Sequence, residues 1–279
     1  MTPVEVPPVE VTRGSSPVVL AFPHSGTEVP AEIFARLNER GQQLADTDWH
    51  VDRLYSGLLP NATQVMARFH RYVIDANRPP SGESLYPGQA TTGLVPDIDF
   101  DGNPIWRDGE APGDAEIAAR REAFHKPYHE ALTAELERLR AEHGFAVLYD
   151  CHSIRAWVPR LFEGRLPDFN IGTNQGASCA PILEQRVTEV CAAAEDYSHV
   201  LNGRFRGGWT TRHYGRPEEG LHAIQMELAQ AAYLQAEEPP FAYDADKAEG
   251  LRRHLGRLLQ VIETTALDGA LTTNEAENG

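Results

Sequence analysis

The segment VLYDCHS at residues 147–153 constrains the fold of this chain more than any other stretch of its sequence. An apolar run with strand character leads without a break into Asp150, His152 and Ser153. In an open α/β sheet, ligands bind at the carboxyl ends of the strands. The segment therefore predicts a buried strand that delivers polar, metal-capable side chains to an active site.

A second strand with the same design comes earlier in the chain. The run PVVLAF at 17–22 leads directly into PHSG at 23–26, which contains His24. A single histidine at such a place is more often a hydrogen-bonded core or turn residue than a metal ligand. Two strand-end histidines together favour one shared metal site, with His24 and His152 as its first ligands.

Strand-like and helix-like segments alternate along the 279 residues, which predicts one α/β domain with a mixed, mainly parallel sheet flanked by helices. The predicted strands are at 17–22, 63–68, 71–74, 145–149, 170–176, 199–201 and 221–228. The predicted helices are at 31–43, 114–142, 180–194 and 245–264, and one more opens at 46–52. Residues 81–113 are rich in Gly, Pro, Asp and Thr and predict a long loop that covers a functional site. A single catalytic domain is expected at 1–271, and a disordered polar tail at 272–279.

The composition excludes several kinds of partner. A formal net charge of -16 and a pI near 5.1 argue against nucleic acids and anionic membranes, which need contiguous basic surface. No apolar run approaches the ~20 residues of a membrane span, and no signal-peptide pattern opens the sequence, so a cytoplasmic protein is expected. The 3 cysteines lack CxxC spacing and predict reduced thiols, with Cys151 in the core.

A carboxylate should complete the metal site, because a catalytic zinc usually has three protein ligands from His, Asp or Glu. The candidates are Asp48, Asp46, Asp52 and Glu28. Acidic residues in the first turn of a helix are commonly dipole partners or N-caps instead of ligands. The local pattern does not choose among these carboxylates.

Glu227, near the end of the predicted strand 221–228, is a candidate general base. Partial burial would raise its pKa toward neutrality and suit it to accept a proton from water. A salt bridge or a solvated strand face explains its position equally well.

Several arginines could bind the carboxylates of an anionic substrate. Asn77 and Arg78 follow the predicted strand 71–74, where a guanidinium fork could bind a carboxylate. Further guanidinium groups that could do the same belong to Arg155, Arg204 and Arg212. Arginines are more often surface residues, but clustering in motifs rich in Gly, His and Tyr favours substrate binding.

These motifs together resemble the N-formylglutamate amidohydrolase (deformylase) family. The resemblance runs from about residue 17 to residue 258, nearly the whole chain, and its motifs are long and in the family's order. The motifs are PHSGTEVP (23–30), DTDWHVDRLY (46–55), RYVID (71–75) with NRPP (77–80), LYPGQ (85–89), DCHSIR (150–155), NGRF (202–205) with GG (207–208), and TRHYG (211–215).

The resemblance implies a zinc-dependent hydrolase of histidine degradation that converts N-formyl-L-glutamate to L-glutamate and formate, with a fold similar to zinc carboxypeptidases. It implies that His24, Asp48 and His152 hold Zn2+, although another divalent metal would suit the same ligands. It implies that Glu227 is the base. Carboxypeptidase-like relatives place the early acid a few residues after the first histidine, which favours Glu28, whereas the Asp-Thr-Asp-Trp motif favours Asp48. Asp150 is expected to orient His152 from behind.

Other functions remain open at this point. The chain could be a related deacylase, or a formyl or formimidoyl amino-acid hydrolase with another side-chain preference, or a zinc-binding module without turnover. It could also be a serine hydrolase that uses Ser25 or Ser153, although neither serine lies in a Gly-x-Ser-x-Gly elbow. The sequence does not predict the oligomeric state.

Overall fold

A computed structural model describes residues 7–84, 88 and 90–271 of the chain. The predicted tail at 272–279, and the LYPGQ motif apart from Gly88, lie outside these residues. The strands are β1 (Val9–Thr12), β2 (Val18–Phe22), β3 (Thr63–Ala67), β4 (Ala146–Ile154), β5 (Phe169–Gly172), β6 (His199–Leu201) and β7 (Leu221–Ala229). The α-helices are α1 (Ala31–Phe34), α2 (Val51–Tyr55), α3 (Asp114–Arg120), α4 (Lys126–His143), α5 (Pro181–Ala192), α6 (Trp209–Tyr214) and α7 (Ala245–Thr265).

All the strands join one seven-stranded sheet in the order β1-β3-β2-β4-β7-β5-β6. Four neighbouring pairs are parallel, and the pairs β1-β3 and β5-β7 are antiparallel. The mixed, mainly parallel sheet predicted from the sequence is therefore confirmed. Parallel strands β2, β4 and β7 lie side by side at its centre, so their carboxyl ends meet at one edge.

Alternate residues of the central strands face two separate hydrophobic cores, as the two-residue period of a strand requires. In β4, Val147, Tyr149 and Cys151 point into the core formed with α2, α5 and α7, which confirms the buried position of Cys151. Leu148 points into the second core, formed largely with α4. Asp150 and His152 have the same strand parity as Leu148, so they lie on the α4 side of the sheet.

Two element predictions are wrong. The predicted helix 31–43 is only α1 and a short 3-10 turn, because Asn38 interrupts it: its Oδ1 accepts from the backbone N–H of Gly41, and its own N–H donates to the carbonyl of Ile105. The predicted strand 71–74 is a turn, closed by a hydrogen bond from the Val73 N–H to the His70 carbonyl. Strand β1 and helix α6 were not predicted.

The segments nearest the expected site also differ from their predicted form. β4 continues to Ile154, so Asp150 and His152 lie within the strand instead of after it. Helix α2 begins at Val51, so Asp46 and Asp48 precede it and are not first-turn residues. The long predicted helix 114–142 is present as α3 and α4, joined by one π-helical turn and ended by Gly144 in the left-handed region (φ 85°).

Candidate metal centre and active site

Three buried side chains converge at the carboxyl edge of the central strands. His24 follows β2, Asp48 lies in the loop before α2, and His152 lies near the end of β4. The two Nδ1 atoms of the histidines are 3.2 Å apart, and Asp48 Oδ2 lies 3.2 Å from His152 Nδ1 and 3.9 Å from His24 Nδ1. In the described part of the chain, this is the group of His, Cys, Asp and Glu side chains that could hold a metal ion.

The spacing and chemistry of these donors fit a small divalent cation. Tetrahedral ligands at zinc-type distances of 2.0–2.1 Å stand about 3.3 Å from one another. Two of the three separations in this group are close to that value, and the third is slightly longer. Two imidazoles and one carboxylate are also the donor types of catalytic zinc sites, which keep a further position open.

A carboxylate behind each imidazole fixes its ring orientation. His24 Nε2 lies 2.7 Å from Asp75 Oδ1, and His152 Nε2 lies 3.1 Å from Asp150 Oδ2. When the Nε2–H groups donate to these carboxylates, both Nδ1 atoms keep a lone pair for a metal. Burial lowers the pKa of His24, whereas at His152 Asp150 and Asp48 outweigh burial and raise the pKa well above its usual value.

Asp48 is held in place from two sides. Its Oδ1 accepts a hydrogen bond of 2.5 Å from the Arg71 guanidinium, and its Oδ2 accepts one of 3.0 Å from the Ser153 N–H. Burial raises the pKa of this carboxyl, but Arg71 and the two imidazoles outweigh burial and keep the pKa below its usual value. Asp48 is therefore ionised and oriented toward the histidines.

The other acidic candidates lie elsewhere. Glu28 is half exposed and bonds Arg68 at 2.7 Å. Asp46 accepts from the Phe100 N–H, and burial raises its pKa to about 7. Asp52 lies in α2. Among the described residues, the converging group contains Asp48 and none of these.

Glu227 is brought beside the metal group by strand register. In the parallel pair β4-β7, its Cα is the partner of the His152 Cα, so both side chains lie on the same face. Its Oε2 accepts a 3.1 Å hydrogen bond from Gln225 Nε2. The side chain is almost fully buried, and burial raises its pKa to about 8.

His24, His152 and Glu227 line one cleft with about 640 Å³ of empty space, part of which is open to solvent. Its wall includes His24, His152, Glu227 and residues of the predicted cover loop. The lining residues are His24, Arg71, Asn77, Arg78, Ala90, Thr91, Thr92, Phe100, His152, Ser153, Ile154, Leu161, Arg204, Phe205, Gly208, Gln225 and Glu227.

Two of the predicted substrate-binding arginines line this cleft. Arg78 donates to the Thr92 carbonyl and hydroxyl, and Arg204 donates to the carbonyls of Leu161 and Ala90. Each guanidinium is thereby fixed to the loops that form the cleft. Asn77 also lies in the wall, with its Nδ2 3.1 Å from His152 Nε2.

The other two predicted arginines are placed differently. Arg155 forms an ion pair of 2.9 Å with Asp101, and Arg212 donates to the carbonyl of Gly207. Neither residue is among those that line the cleft in the described part of the structure.

Sequence reasoning missed two polar residues of the cleft. Arg71 is buried beside Asp48, and a cation at the start of the β-type run RYVI is the signal that could have identified it. Gln225 is buried beside Glu227, and an amide inside the apolar run AIQM is a comparable signal. Buried polar groups of this kind need specific partners.

Comparison with known proteins agrees with the resemblance found in the motifs. A family model described as N-formylglutamate amidohydrolase matches residues 16–234. An N-formylglutamate deformylase of Pseudomonas aeruginosa is 51% identical over 251 residues, which cover 90% of this chain and 94% of that protein. A deformylase of the same name from Pseudomonas putida is 46% identical, over 90% of this chain and 93% of its own.

The fold comparison points to the same group of proteins. A crystal structure of N-formylglutamate amidohydrolase from Ralstonia eutropha JMP134 aligns with a TM-score of 0.79 and 27% identity. The alignment covers 95% of this chain and all of that one. Within the described residues, no helix is both long enough and apolar enough to cross a membrane. The family model and the sequence relatives both span most of the chain, which therefore belongs to the N-formylglutamate amidohydrolase family.

Proposed function

We propose that this chain is a metal-dependent hydrolase that converts N-formyl-L-glutamate and water to L-glutamate and formate, acting in histidine degradation. The observation that carries the proposal is the convergence of His24, Asp48 and His152 beside Glu227 in one arginine-lined cleft. Membership of the N-formylglutamate amidohydrolase family supports the choice of substrate.

We propose that His24, Asp48 and His152 hold Zn2+. When bound, such an ion would polarise the formyl carbonyl and lower the pKa of water, so that hydroxide is available as the nucleophile near neutral pH. The protein contributes the fixed donor geometry: Asp75 and Asp150 hold the two imidazoles, and Arg71 holds Asp48. These contacts hold the three side chains in place.

Glu227 is the proposed general base. It lies beside His152 through the strand register, and its burial raises its pKa to about 8, so the carboxylate binds a proton more readily than an exposed one. It would accept a proton from the attacking water and pass it to the amide nitrogen as the C–N bond breaks. The nitrogen then leaves as the amino group of glutamate, and the formyl carbon leaves as formate.

We propose that arginines in the cleft bind the two carboxylates of the substrate. Arg78 follows Asn77, whose Nδ2 lies 3.1 Å from His152 Nε2, which suits Arg78 to the carboxylate nearer the scissile bond. Arg204 lines the same cleft and is bonded to the carbonyls of Leu161 and Ala90, and we assign it to the side-chain carboxylate. Buried Arg71, whose Nε has no hydrogen-bond partner in the described structure, adds a third positive charge.

The serine-hydrolase alternative gains no support from the site. The Ser153 hydroxyl lies 2.7 Å from the Tyr233 hydroxyl, and the Ser153 backbone N–H donates a hydrogen bond to Asp48. The Ser25 hydroxyl is buried without a hydrogen-bond partner among the described residues. Neither serine therefore has the hydrogen-bonded histidine base that an activated serine requires.

Formate release from N-formyl-L-glutamate by the zinc-loaded protein tests the proposal. We expect turnover of this substrate, and a loss on the order of 100-fold or more in Glu227→Gln, because general acid–base catalysis contributes about 10²–10⁴-fold. A panel of N-formyl-L-aspartate, N-formyl-L-alanine and N-acetyl-L-glutamate separates related activities. Metal binding without product from any of these compounds would show a non-catalytic module, and wild-type turnover in Glu227→Gln would exclude Glu227 as the base.

A further inference from the structure

The two central strands that carry the site share one arrangement. Parallel register places Asp150 beside Gln225, and His152 beside Glu227. In each strand, one side chain contacts the side chain two positions further along. The Asp150 carboxylate lies against the His152 ring, and the Gln225 amide donates a hydrogen bond to the Glu227 carboxylate. Asp150 orients a metal ligand, and by position Gln225 is its counterpart for Glu227.

Both ends of the Gln225 amide are engaged, and this fixes which way the amide faces. The Oε1 atom accepts a 2.7 Å hydrogen bond from the backbone N–H of Gly208, and Nε2 donates to Glu227 Oε2 at 3.1 Å. A backbone N–H can only donate, so the oxygen of the amide must face Gly208. The NH2 group is therefore left to face Glu227. Gln225 is only 3% exposed, so water does not compete freely for these bonds.

The Gly207–Gly208 turn is shaped to reach Gln225. Gly207 has a φ of 104°, in the left-handed region that favours glycine. A Cβ atom on Gly208 would lie 2.4 Å from Asn77 Nδ2, so only glycine lets the backbone pass so close. Just beyond the turn, the Thr210 N–H donates to Asn77 Oδ1 at 2.9 Å. One turn thus fixes both the Gln225 amide and the Asn77 side chain.

We propose that Gln225 is a positioning residue for Glu227, anchored in its working orientation by the Gly207–Gly208 turn. A glutamate side chain has several rotatable bonds, and one fixed carboxylate oxygen removes most of that freedom. The second oxygen is then available to take a proton from water. The inference rests on the proposed function, because it assigns Gln225 a part in the same proton transfer.

Two substitutions separate the two hydrogen bonds of Gln225. Gln225→Glu keeps the shape and an acceptor for Gly208 but places an oxygen opposite Glu227 where the donor was. Gln225→Met keeps the volume and removes both bonds. The matched control is Met226→Leu, because Met226 is the next residue of β7, points into the opposite core, and tolerates a volume-conserving change.

Steady-state formate release gives kcat and KM for each variant in the zinc-loaded protein. We expect both Gln225 variants to lose kcat on the order of 10- to 100-fold, with KM for N-formyl-L-glutamate within about threefold of wild type. Met226→Leu should stay within about twofold in both constants. Wild-type kcat in Gln225→Glu overturns the proposal, and so does a change that falls mainly on KM, since that pattern indicates direct substrate contact.

A double variant distinguishes positioning from a general structural role. In a Glu227→Gln background, assayed at high enzyme concentration, Gln225→Met should cause little further loss, because no carboxylate remains to be oriented. An equal loss in both backgrounds overturns the proposal. Absence of formate release from the wild type would instead overturn the proposed function itself.

Discussion

Replacing Asp75 with asparagine tests whether the carboxylates behind the two imidazoles, Asp75 and Asp150, set the affinity for the metal. Asp75 is fully buried, and its Oδ1 accepts from His24 Nε2 at 2.7 Å and from the Asn77 N–H at 2.8 Å. Burial raises the pKa of this carboxyl, but Arg78, His24 and Arg71 together hold the pKa well below its usual value. The bond to His24 is therefore a bond to a full carboxylate.

The magnitude follows from these contacts. An asparagine oxygen can still accept from His24, but a neutral bond is weaker than a charge-assisted one by about 1 kcal/mol. The amide NH2 would also face Arg71 and Arg78, where the carboxylate had favourable charge contacts at 3.8 Å. Loss of a carboxylate behind a ligating histidine weakens metal affinity about 10- to 100-fold in general, or about 1.4–2.7 kcal/mol, and we expect a loss in this range for Zn2+.

Competition with a chromogenic chelator measures this affinity directly, and thermal unfolding of the metal-free variants checks that each one folds. Glu28→Gln is the matched control, because Glu28 is a carboxylate close in sequence to His24 that bonds Arg68 at the surface. We expect Glu28→Gln to bind Zn2+ like the wild type. A folded Asp75→Asn variant with an affinity within twofold of wild type would show that Asp75 does not set the metal affinity, and a large loss in Glu28→Gln would show that the effect is not specific to Asp75.

Three further outcomes follow from individual contacts. Arg204→Met should raise KM for N-formyl-L-glutamate about 10-fold or more with a small change in kcat, measured by formate release, because it removes a charged donor from the cleft wall. Gly208→Ala should lower the free energy of unfolding in urea by about 1–3 kcal/mol, because its Cβ would collide with Asn77. Burial lowers the pKa of His222 from 6.5 to about 4, and its ring accepts from the Ala180 N–H, so it stays neutral in the folded protein while the unfolded chain takes up a proton. Wild-type stability should therefore fall relative to His222→Asn as pH drops from 6.5 to 4, by about 3 kcal/mol in total, and an unchanged difference across that range would contradict this assignment.

The sequence predicted those strands whose local apolar pattern matches their buried position in the folded sheet. The apolar runs before His24 and around Asp150 and His152 are buried strands, and parallel pairing brings their ends together. The predicted strand at 71–74 failed because its β-type residues are buried in the core that they share with β2, β3 and α4, without pairing to a strand. Burial of Arg71 beside Asp48, which a strand pattern does not reveal, holds this segment at the site.

The choice of the acidic ligand also depends on tertiary structure. Asp48 reaches the histidines because its loop is tied to the β2 exit by a hydrogen bond from the Asp48 N–H to the His24 carbonyl. Glu28 is far closer to His24 along the chain, yet it turns outward to Arg68. Short sequence separation therefore did not predict proximity, and the preference for Asp48 came from its Asp-Thr-Asp-Trp motif instead.

Removal and return of the metal tests whether N-formyl-L-glutamate is hydrolysed at a metal held by His24, Asp48 and His152. Formate release is measured in protein stripped with a chelator and dialysed, before and after addition of one equivalent of Zn2+. We predict no turnover in the stripped wild type, recovery with Zn2+, and no recovery at that concentration in Asp48→Asn. Full turnover in protein shown by elemental analysis to be metal-free would exclude a metal-dependent reaction.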